Sequence, residues 1–184
     1  EFLADSDITV VKDAIRAIDT MNNHQAVRAA IPKIAMLLKK HQLPDMKLER
    51  INQWLFRVGT KEALELSCSV ALNEAISERI RAIALSDMGR WHEALPVDPV
   101  IGLIRPIDQN RAPAVELLKK TVAELLKMKM DRSLTSRVNS FALQYSIGID
   151  KDKIIGQILD KKGDEAVRMD YYQKLLAKKD PQMA

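Results

Sequence analysis

The sequence predicts an all-α protein, a superhelix of stacked antiparallel helical hairpins with one Pro-rich irregular insertion. Three observations lead there. Apolar residues recur at the three- and four-residue steps of a helix along nearly the whole chain. No segment alternates apolar and polar side chains as a half-buried strand does. Six Gly and seven Pro in 184 residues are few for an all-β chain, which needs many turns.

The first expected helix carries Ile8, Val11, Ile15 and Ile18 on one stripe. Asp5 or Ser6 is placed to cap it, because a short side-chain oxygen accepts a free N–H of the first turn. Val27, Ile31, Ile34 and Leu38 form the next stripe. Pro32, which has no N–H to donate, makes that helix either begin near residue 32 or bend there. The third helix opens at Asp45 after Pro44, carries Leu48, Ile51, Leu55 and Val58, and meets Gly59 where a left-handed closing residue belongs. Thr60 is placed to cap a fourth (Ala63, Leu66, Val70) and Ser77 a fifth (Ile80, Ile83, Ala84, Met88).

Residues 92–113 break the pattern. The run from His92 to Pro106 holds three prolines and a glycine and cannot be one helix. Its Val100, Ile101, Leu103 and Ile104 predict an irregular loop packed back onto the helices, since a flexible linker is more polar. Helices resume with Val115, Leu118, Val122 and Leu125. Asp131 then opens a stripe of Leu134, Val138, Phe141 and Tyr145 that ends at Gly148. Asp150 opens a short helix with Ile154, Ile155, Ile158 and Leu159, and Asp164 opens the last, with Val167, Tyr171 and Leu175.

Composition narrows the class. An apolar fraction of 47% is that of a globular chain, and with only 4% aromatics the core must be aliphatic, helped by eight Met. The single Cys68 rules out an internal disulfide and any Cys-rich metal site. No apolar run approaches the roughly 18 residues of a membrane span. Residues Glu1 to Asp5 carry neither the basic nor the apolar region of a signal peptide. The abrupt start, with no initiator Met and with Phe2-Leu3 already apolar, leads us to expect a piece excised from a longer polypeptide, whose targeting signals would be lost with the rest. Net charge is +4, and the pairs Lys39-Lys40, Lys119-Lys120 and Lys161-Lys162 are interleaved with acids. That is the pattern of a solvated surface rather than the one-sided cation cluster of a nucleic-acid binder.

Helix starts near residues 7, 45, 77, 133 and 164 are spaced by roughly 38, 32, 56 and 31 residues. Without about 20 residues of irregular loop the long interval also falls to about 36, the period of two-helix repeats that bury their apolar faces by stacking. A short motif recurs at these starts: Asp5-Ser-Asp-Ile-Thr-Val-Val-Lys-Asp-Ala14, Ile76-Ser-Glu-Arg-Ile-Arg-Ala-Ile-Ala84 and Gly163-Asp-Glu-Ala-Val-Arg168. An acidic cap followed by a Val/Ile-Lys/Arg step resembles the first helix of HEAT repeats. The expected architecture is thus a HEAT-like solenoid of about four to five hairpins, one domain over residues 1–184, with 92–113 as an irregular inter-repeat loop.

A narrower resemblance lies in the middle of the chain. Arg50-Ile-Asn-Gln-Trp-Leu-Phe-Arg-Val-Gly-Thr-Lys-Glu-Ala63, then Ile80-Arg-Ala-Ile-Ala-Leu-Ser-Asp-Met-Gly-Arg-Trp91, then Pro96-Val-Asp-Pro-Val-Ile-Gly-Leu-Ile-Arg-Pro106 follow one another. This is similar to the HEAT region of large bacterial membrane-bound dehydrogenase-like proteins, which join a sorbosone/glucose-dehydrogenase-like propeller, a HEAT region and a c-type cytochrome domain. There a helix ending in Trp precedes a loop reading roughly D-R-V-T-G-x-x-R-P. Asp98, Val100, Gly102, Arg105 and Pro106 sit in register with it, while Pro99 and Ile101 depart. The likeness covers most of residues 1–127 and is sharpest over 50–106. It implies a bacterial, extracytoplasmic origin and a scaffold role. The family's oxidation chemistry belongs to the propeller and its electron transfer to a Cys-x-x-Cys-His haem motif, which a chain with one Cys lacks.

No catalytic, cofactor-binding or metal-binding residue is expected, and no cofactor. His24, His41 and His92 have no His/Cys/carboxylate spacing around them and read as surface or capping residues. Cys68, with no His at helical spacing, reads as a small buried residue rather than a nucleophile. Trp54 and Trp91 close apolar stripes and read as core rather than stacking platforms. Glu62, Glu65, Glu74 and Glu78 read as a solvated face, and Met128 and Met130 as a helix end with Lys at its negative pole. Arg105 and Asp98 are either an ion pair that fixes the loop's path or a partner-contact patch, with the structural role favoured. The expected partner is a protein, or adjacent domains of the same polypeptide. A stand-alone nucleic-acid-binding HEAT-like protein of the DNA-repair glycosylase type, or a pure spacer, are the alternatives.

Overall fold

A computed structural model describes residues 2–21, 24–40, 43–93, 96–98, 102–105, 107–148 and 150–177. The chain is all-α. After a 3₁₀ turn at Phe2–Ala4, the described residues form α1 (Ile8–Met21), α2 (His24–Lys40), α3 (Asp45–Val58), α4 (Lys61–Leu72), α5 (Glu78–Gly89), α6 (Val115–Leu125), α7 (Arg132–Tyr145), α8 (Lys151–Leu159) and α9 (Glu165–Ala177). Their only extended pairing is a single antiparallel bridge, Val97 to Ile104.

Most ends form for the local reasons the sequence carries. Thr60 accepts from Ala63 N at 3.3 Å, Asp131 from Leu134 N at 2.7 Å, Asp150 from Lys153 N at 3.2 Å and Asp164 from Val167 N at 3.1 Å. Each supplies an oxygen to a first-turn N–H that has no partner inside its helix. Gly59 closes α3 at φ +66°, its N–H returned to Leu55 O. Ser77 differs. Its hydroxyl donates to Asp45 Oδ2 at 2.6 Å, and Arg79 holds Glu49 at 2.9 Å, so the start of α5 is tied to the start of α3 instead of being self-capped.

Pro32 lies inside α2, which runs continuously from residue 24 to 40. The helix therefore does not begin at the proline. Pro32 is on the exposed side, while Val27, Ala30, Ile31, Ile34 and Leu37 are buried, so the apolar stripe is intact and Leu37, not Leu38, is its deep residue. Likewise Leu64 rather than Leu66 is buried in α4. Leu159 at the end of α8 is 71% exposed, because the inward face of this nine-residue helix is made by Ile154, Ile155 and Ile158.

Where the sequence reads as one domain, the chain falls into two compact units, Glu1–Leu117 and Leu118–Ala184. In the first, the 3₁₀ turn packs on α1 and α2. Helix α2 packs on α3 and α4, and α3 is embraced by α1, α4 and α5. In the second, α7 and α8 both pack on α9, around a core of Leu143, Ile154, Ile158, Tyr171 and Leu175.

One kind of side-chain bond occurs once within each unit. Arg81 Nε donates to Ala71 O at 2.9 Å, and Arg168 Nε donates to Ile158 O at 2.8 Å, each reaching ten residues back to a carbonyl in the last turn of the preceding helix. Those carbonyls have no partner within their own helix. The residue one step before each Arg, Ile80 or Val167, and the one three steps after, Ala84 or Tyr171, point inward. The arginines of the short sequence motif thus do the same job twice.

Candidate functional site, a loop clasped to the helices

Helix α3 is buried on every side of its C-terminal half: Arg50, Ile51, Asn52, Gln53, Trp54, Leu55, Phe56, Arg57 and Val58 are all inside. Four of these are polar, and each needs a partner because an unmatched polar group in the interior is costly. Asp87 of α5, 1% exposed, answers two of them. Its Oδ2 accepts from Asn52 Nδ2 at 3.1 Å and from Gln53 Nε2 at 3.0 Å. Its Oδ1 accepts from Arg90 at 2.6 and 3.1 Å. Burial pushes the Asp87 carboxyl up to about 6, against the pull of Arg90 and Gln53.

The other two polar residues face the irregular segment. Asp98, fully buried, takes Arg50 Nη1 on Oδ1 at 3.1 Å, with Arg105 Nε 3.8 Å from Oδ2. Arg57 is also inside. Burial, with Arg105 and Arg50 nearby and only Asp98 in opposition, brings its guanidinium down to about 10, so it stays charged at neutral pH. Backbone bonds then shape the loop: Asp98 N to Leu103 O, Gly102 N to Asp98 O and Arg105 N to Pro96 O, each 2.8 Å. Gly102 stands at φ +68°, a left-handed turn that glycine adopts without steric cost. Because side chains alternate across an extended pair, Asp98 and Arg105 turn inward while Val97 and Ile104 turn out, 48% and 77% exposed.

This corrects the expected packing of the loop. Leu103 and Ile104 do not lie on the helices; they are exposed, and charge rather than oil anchors the segment. The buried arginines of α3 need carboxylate and carbonyl partners more than they need methyl groups. Val100, Ile101 and Pro106 lie outside the described residues. Asp98 and Arg105 are brought together, 3.8 Å apart on the inner side of the segment.

Arg111 completes the clasp. It donates to Phe56 O and Trp91 O, reaches Arg57 O at 3.4 Å, and lies over the rings of Phe56 (4.9 Å) and Trp91 (4.7 Å). Phe56 and Trp91 meet edge to face, centroids 5.7 Å apart. Asp108 N and Ala112 N bond to Arg57 O and Gly59 O, and the Asp108 carboxylate pairs with Arg28 of α2. One cation therefore serves the bare carbonyl end of α3, where the helix dipole favours positive charge, while stacking on two aromatic faces. Desolvation brings Arg111 down to about 10, still charged at neutral pH.

No family model matches the chain, nor does any curated protein or solved structure.

Trp54 and Trp91 are core residues, 2% and 1% exposed, and Cys68 is buried at 8%. His92, Glu62, Glu65 and Glu74 are exposed, and Glu78 is half-buried. His41 and the His24 side chain lie outside what is described. Met128 and Met130 are half-buried beyond the end of α6, where Lys127 pairs with Glu124 at 2.7 Å. Among the described residues no three His, Cys, Asp or Glu side chains are gathered as a metal site. The residues that sequence reasoning missed are Asp87, Asn52, Gln53 and Arg111. For the three on α3 and α5 the only signal was polar character inside strongly apolar helix stretches, and Arg111, in the irregular segment before α6, carried none.

The second unit has an open groove of about 910 Å³ lined by α7 and α9, including Arg137, Ser140, Asp170 and Lys174. Ser140 Oγ donates to Asp170 Oδ2 at 2.7 Å, and Lys174 donates to both Asp170 oxygens and to Ser140. A Ser–Lys nucleophile needs the amine as proton acceptor. Here the amine and the hydroxyl both lie on the Asp170 carboxylate, and the trio is a cross-brace between the two helices.

Proposed function

We propose that this chain is a non-catalytic helical-repeat module of the HEAT kind that holds a loop in fixed position for docking to protein. In our reading it does so within a larger bacterial, extracytoplasmic protein of the dehydrogenase-like type. The observation that carries docking is the inverted loop: Asp98 and Arg105 are inside, while Val97, Leu103 and Ile104 are presented to solvent. Exposed aliphatic residues beside backbone that is bonded at Asp98, Gly102 and Arg105 are what an interface uses, since little conformational freedom is lost there on contact. The recurrence of the Arg81 and Arg168 bonds supports the repeat reading, and the Trp91-to-Pro106 motif supports the family.

Blotting extracts of the source organism for this chain, with a parallel stain for covalent haem, tests the setting. A haem-carrying band several times larger than 20.8 kDa supports it; a haem-free band near 20.8 kDa overturns it. Val97→Lys with Ile104→Lys tests the loop. The melting temperature should stay within a few degrees, because both side chains are already exposed, while protease protection of residues 96–105 in the native assembly should be lost. Unchanged protection would sink the docking role of the loop.

A further inference from the structure

Among the described residues, every partner of the buried Asp87 carboxylate is a donor. Oδ1 takes Arg90 Nε and Nη2 at 3.1 and 2.6 Å, and Oδ2 takes Asn52 Nδ2 and Gln53 Nε2 at 3.1 and 3.0 Å. Four N–H groups suit a carboxylate, which only accepts. They do not suit a carboxylic acid, whose O–H would point at another donor. Burial nevertheless pushes this carboxyl up to about 6, so the acid forms in mildly acidic solution. One acceptor stands beside it. Of the two amides on Oδ2, Asn52 is the one with a buried oxygen, Oδ1, that has no hydrogen-bond partner among the described residues.

The oxygen and nitrogen of an amide are alike in size, so an Asn amide fits its site in either sense. Turned over, Asn52 sets Oδ1 where Nδ2 stands, 3.1 Å from Asp87 Oδ2, with the heavy-atom positions unchanged. Nδ2 then comes to a place at which no donor points. We propose that Asp87 and Asn52 form a proton-operated switch: as the acid forms, the Asn52 amide turns over and Oδ1 accepts the Asp87 O–H, while Arg90 loses its counter-charge. Arg90 is the part that answers outside. Its side chain is 44% exposed against 2% for Asp87, and besides this pair it is held by its place 5.1 Å over the Phe56 ring. Arg90 of α5 and Arg111 of the segment before α6 hold Asp87 ionised, and Glu49 of α3 opposes them. On α4, which packs on α5, Lys61, Glu62 and Glu65 are exposed and Cys68 is a buried thiol. The other buried charge of α5, Arg81, donates to Ala71 O, and Arg50 and Arg57 of α3 face Asp98.

Nuclear magnetic resonance of the full chain from about pH 4 to about pH 8 follows the Asp87 carboxyl carbon and the Asn52 side-chain amide together. Through-space contacts between the Asn52 Nδ2 and Gln53 Nε2 protons, which share one oxygen, should be present at neutral pH and lost in acid, with the midpoint of the carboxyl. Relaxation of Arg90 Nε should show the side chain loosening over the same range. Two variants then separate donor from acceptor. Gln53→Leu removes a donor and should raise the Asp87 midpoint. Asn52→Leu removes donor and acceptor together, so its midpoint should lie below that of Gln53→Leu by about one pH unit, a tenfold difference in proton affinity. If Asn52→Leu does not fold, the wild-type titration decides alone. An Asn52 amide that keeps its contact with Gln53 throughout, equal midpoints in the two variants, or an Arg90 as rigid in acid as at neutral pH overturns the switch and leaves Asn52 as a donor only.

Discussion

Asp87 shows how one buried carboxylate can serve four donors and still oppose folding at neutral pH. Held at about 6 against an ordinary value of 3.8, it binds its proton more tightly in the folded chain than in the unfolded one. Its contribution is therefore greatest below about pH 4 and is lost as pH rises through about 6. The unfolding free energy of the wild type, from urea titrations, should fall between pH 4 and 6.5 relative to Asp87→Asn, by no more than about 3 kcal/mol. A variant with the same pH slope as wild type would remove Asp87 from the account. Gly59 is fixed for two reasons that can be separated. Its φ of +66° disfavours any side chain, and a Cβ there would stand 2.8 Å from Arg111 Nη1. Gly59→Ala should cost about 1–3 kcal/mol alone and less in an Arg111→Ala background, where only the backbone penalty is left. A double-mutant cycle measures the difference, and strict additivity would show that the Arg111 contact is not felt.

At the scale of elements, α3 depends on its charged contacts with the loop. Arg50 and Asp98 lie 3.1 Å apart with side chains 7% and 0% exposed, and Asp98 is also the carboxylate beside Arg57 and Arg105, so its removal takes the shared counter-charge from a cluster of arginines. Asp98→Ala should destabilise the first unit by about 3–5 kcal/mol, whereas a paired change of Arg50→Met with Asp98→Leu should recover only part of that loss, because Arg57 and Arg105 still lack their carboxylate. Guanidinium unfolding resolves the two outcomes, and a cost below about 1 kcal/mol would mean the pair is solvated. What the sequence made legible here follows from range. The stripe of Ile51, Leu55 and Val58, the closing Gly59, and the caps Thr60, Asp131, Asp150 and Asp164 are all decided within a turn of helix. Ser77 was misread because its partner, Asp45, is 32 residues away. The loop's inversion was misread because Leu103 and Ile104 look like core until Arg50, Arg57 and Arg111 are known to need polar partners beside them. Hydropathy records what a residue prefers and not what its neighbour across the fold requires.

At the scale of the whole molecule, the question is whether the recurring Arg is a repeat with energetic meaning or a coincidence of two local bonds. Arg81 and Arg168 stand at the same step of the same short motif, and each finds a last-turn carbonyl ten residues back. A repeat protein derives stability from such junctions between successive elements, each worth a modest and similar amount. Burial modulates that amount in a known direction. Arg81 is 2% exposed, so when it is lost Ala71 O stays out of reach of water. Arg168 is only half-buried, and water can replace it at Ile158 O. Arg81→Met should therefore cost about 2–3 kcal/mol and Arg168→Met about 1 kcal/mol or less, each read by hydrogen exchange in the helix whose end it seals, α4 or α8. Faster exchange confined to those helix ends, in that order of size, would show one device used twice. No change at α8 would make Arg81 an isolated core bond and would leave the motif without a shared structural role.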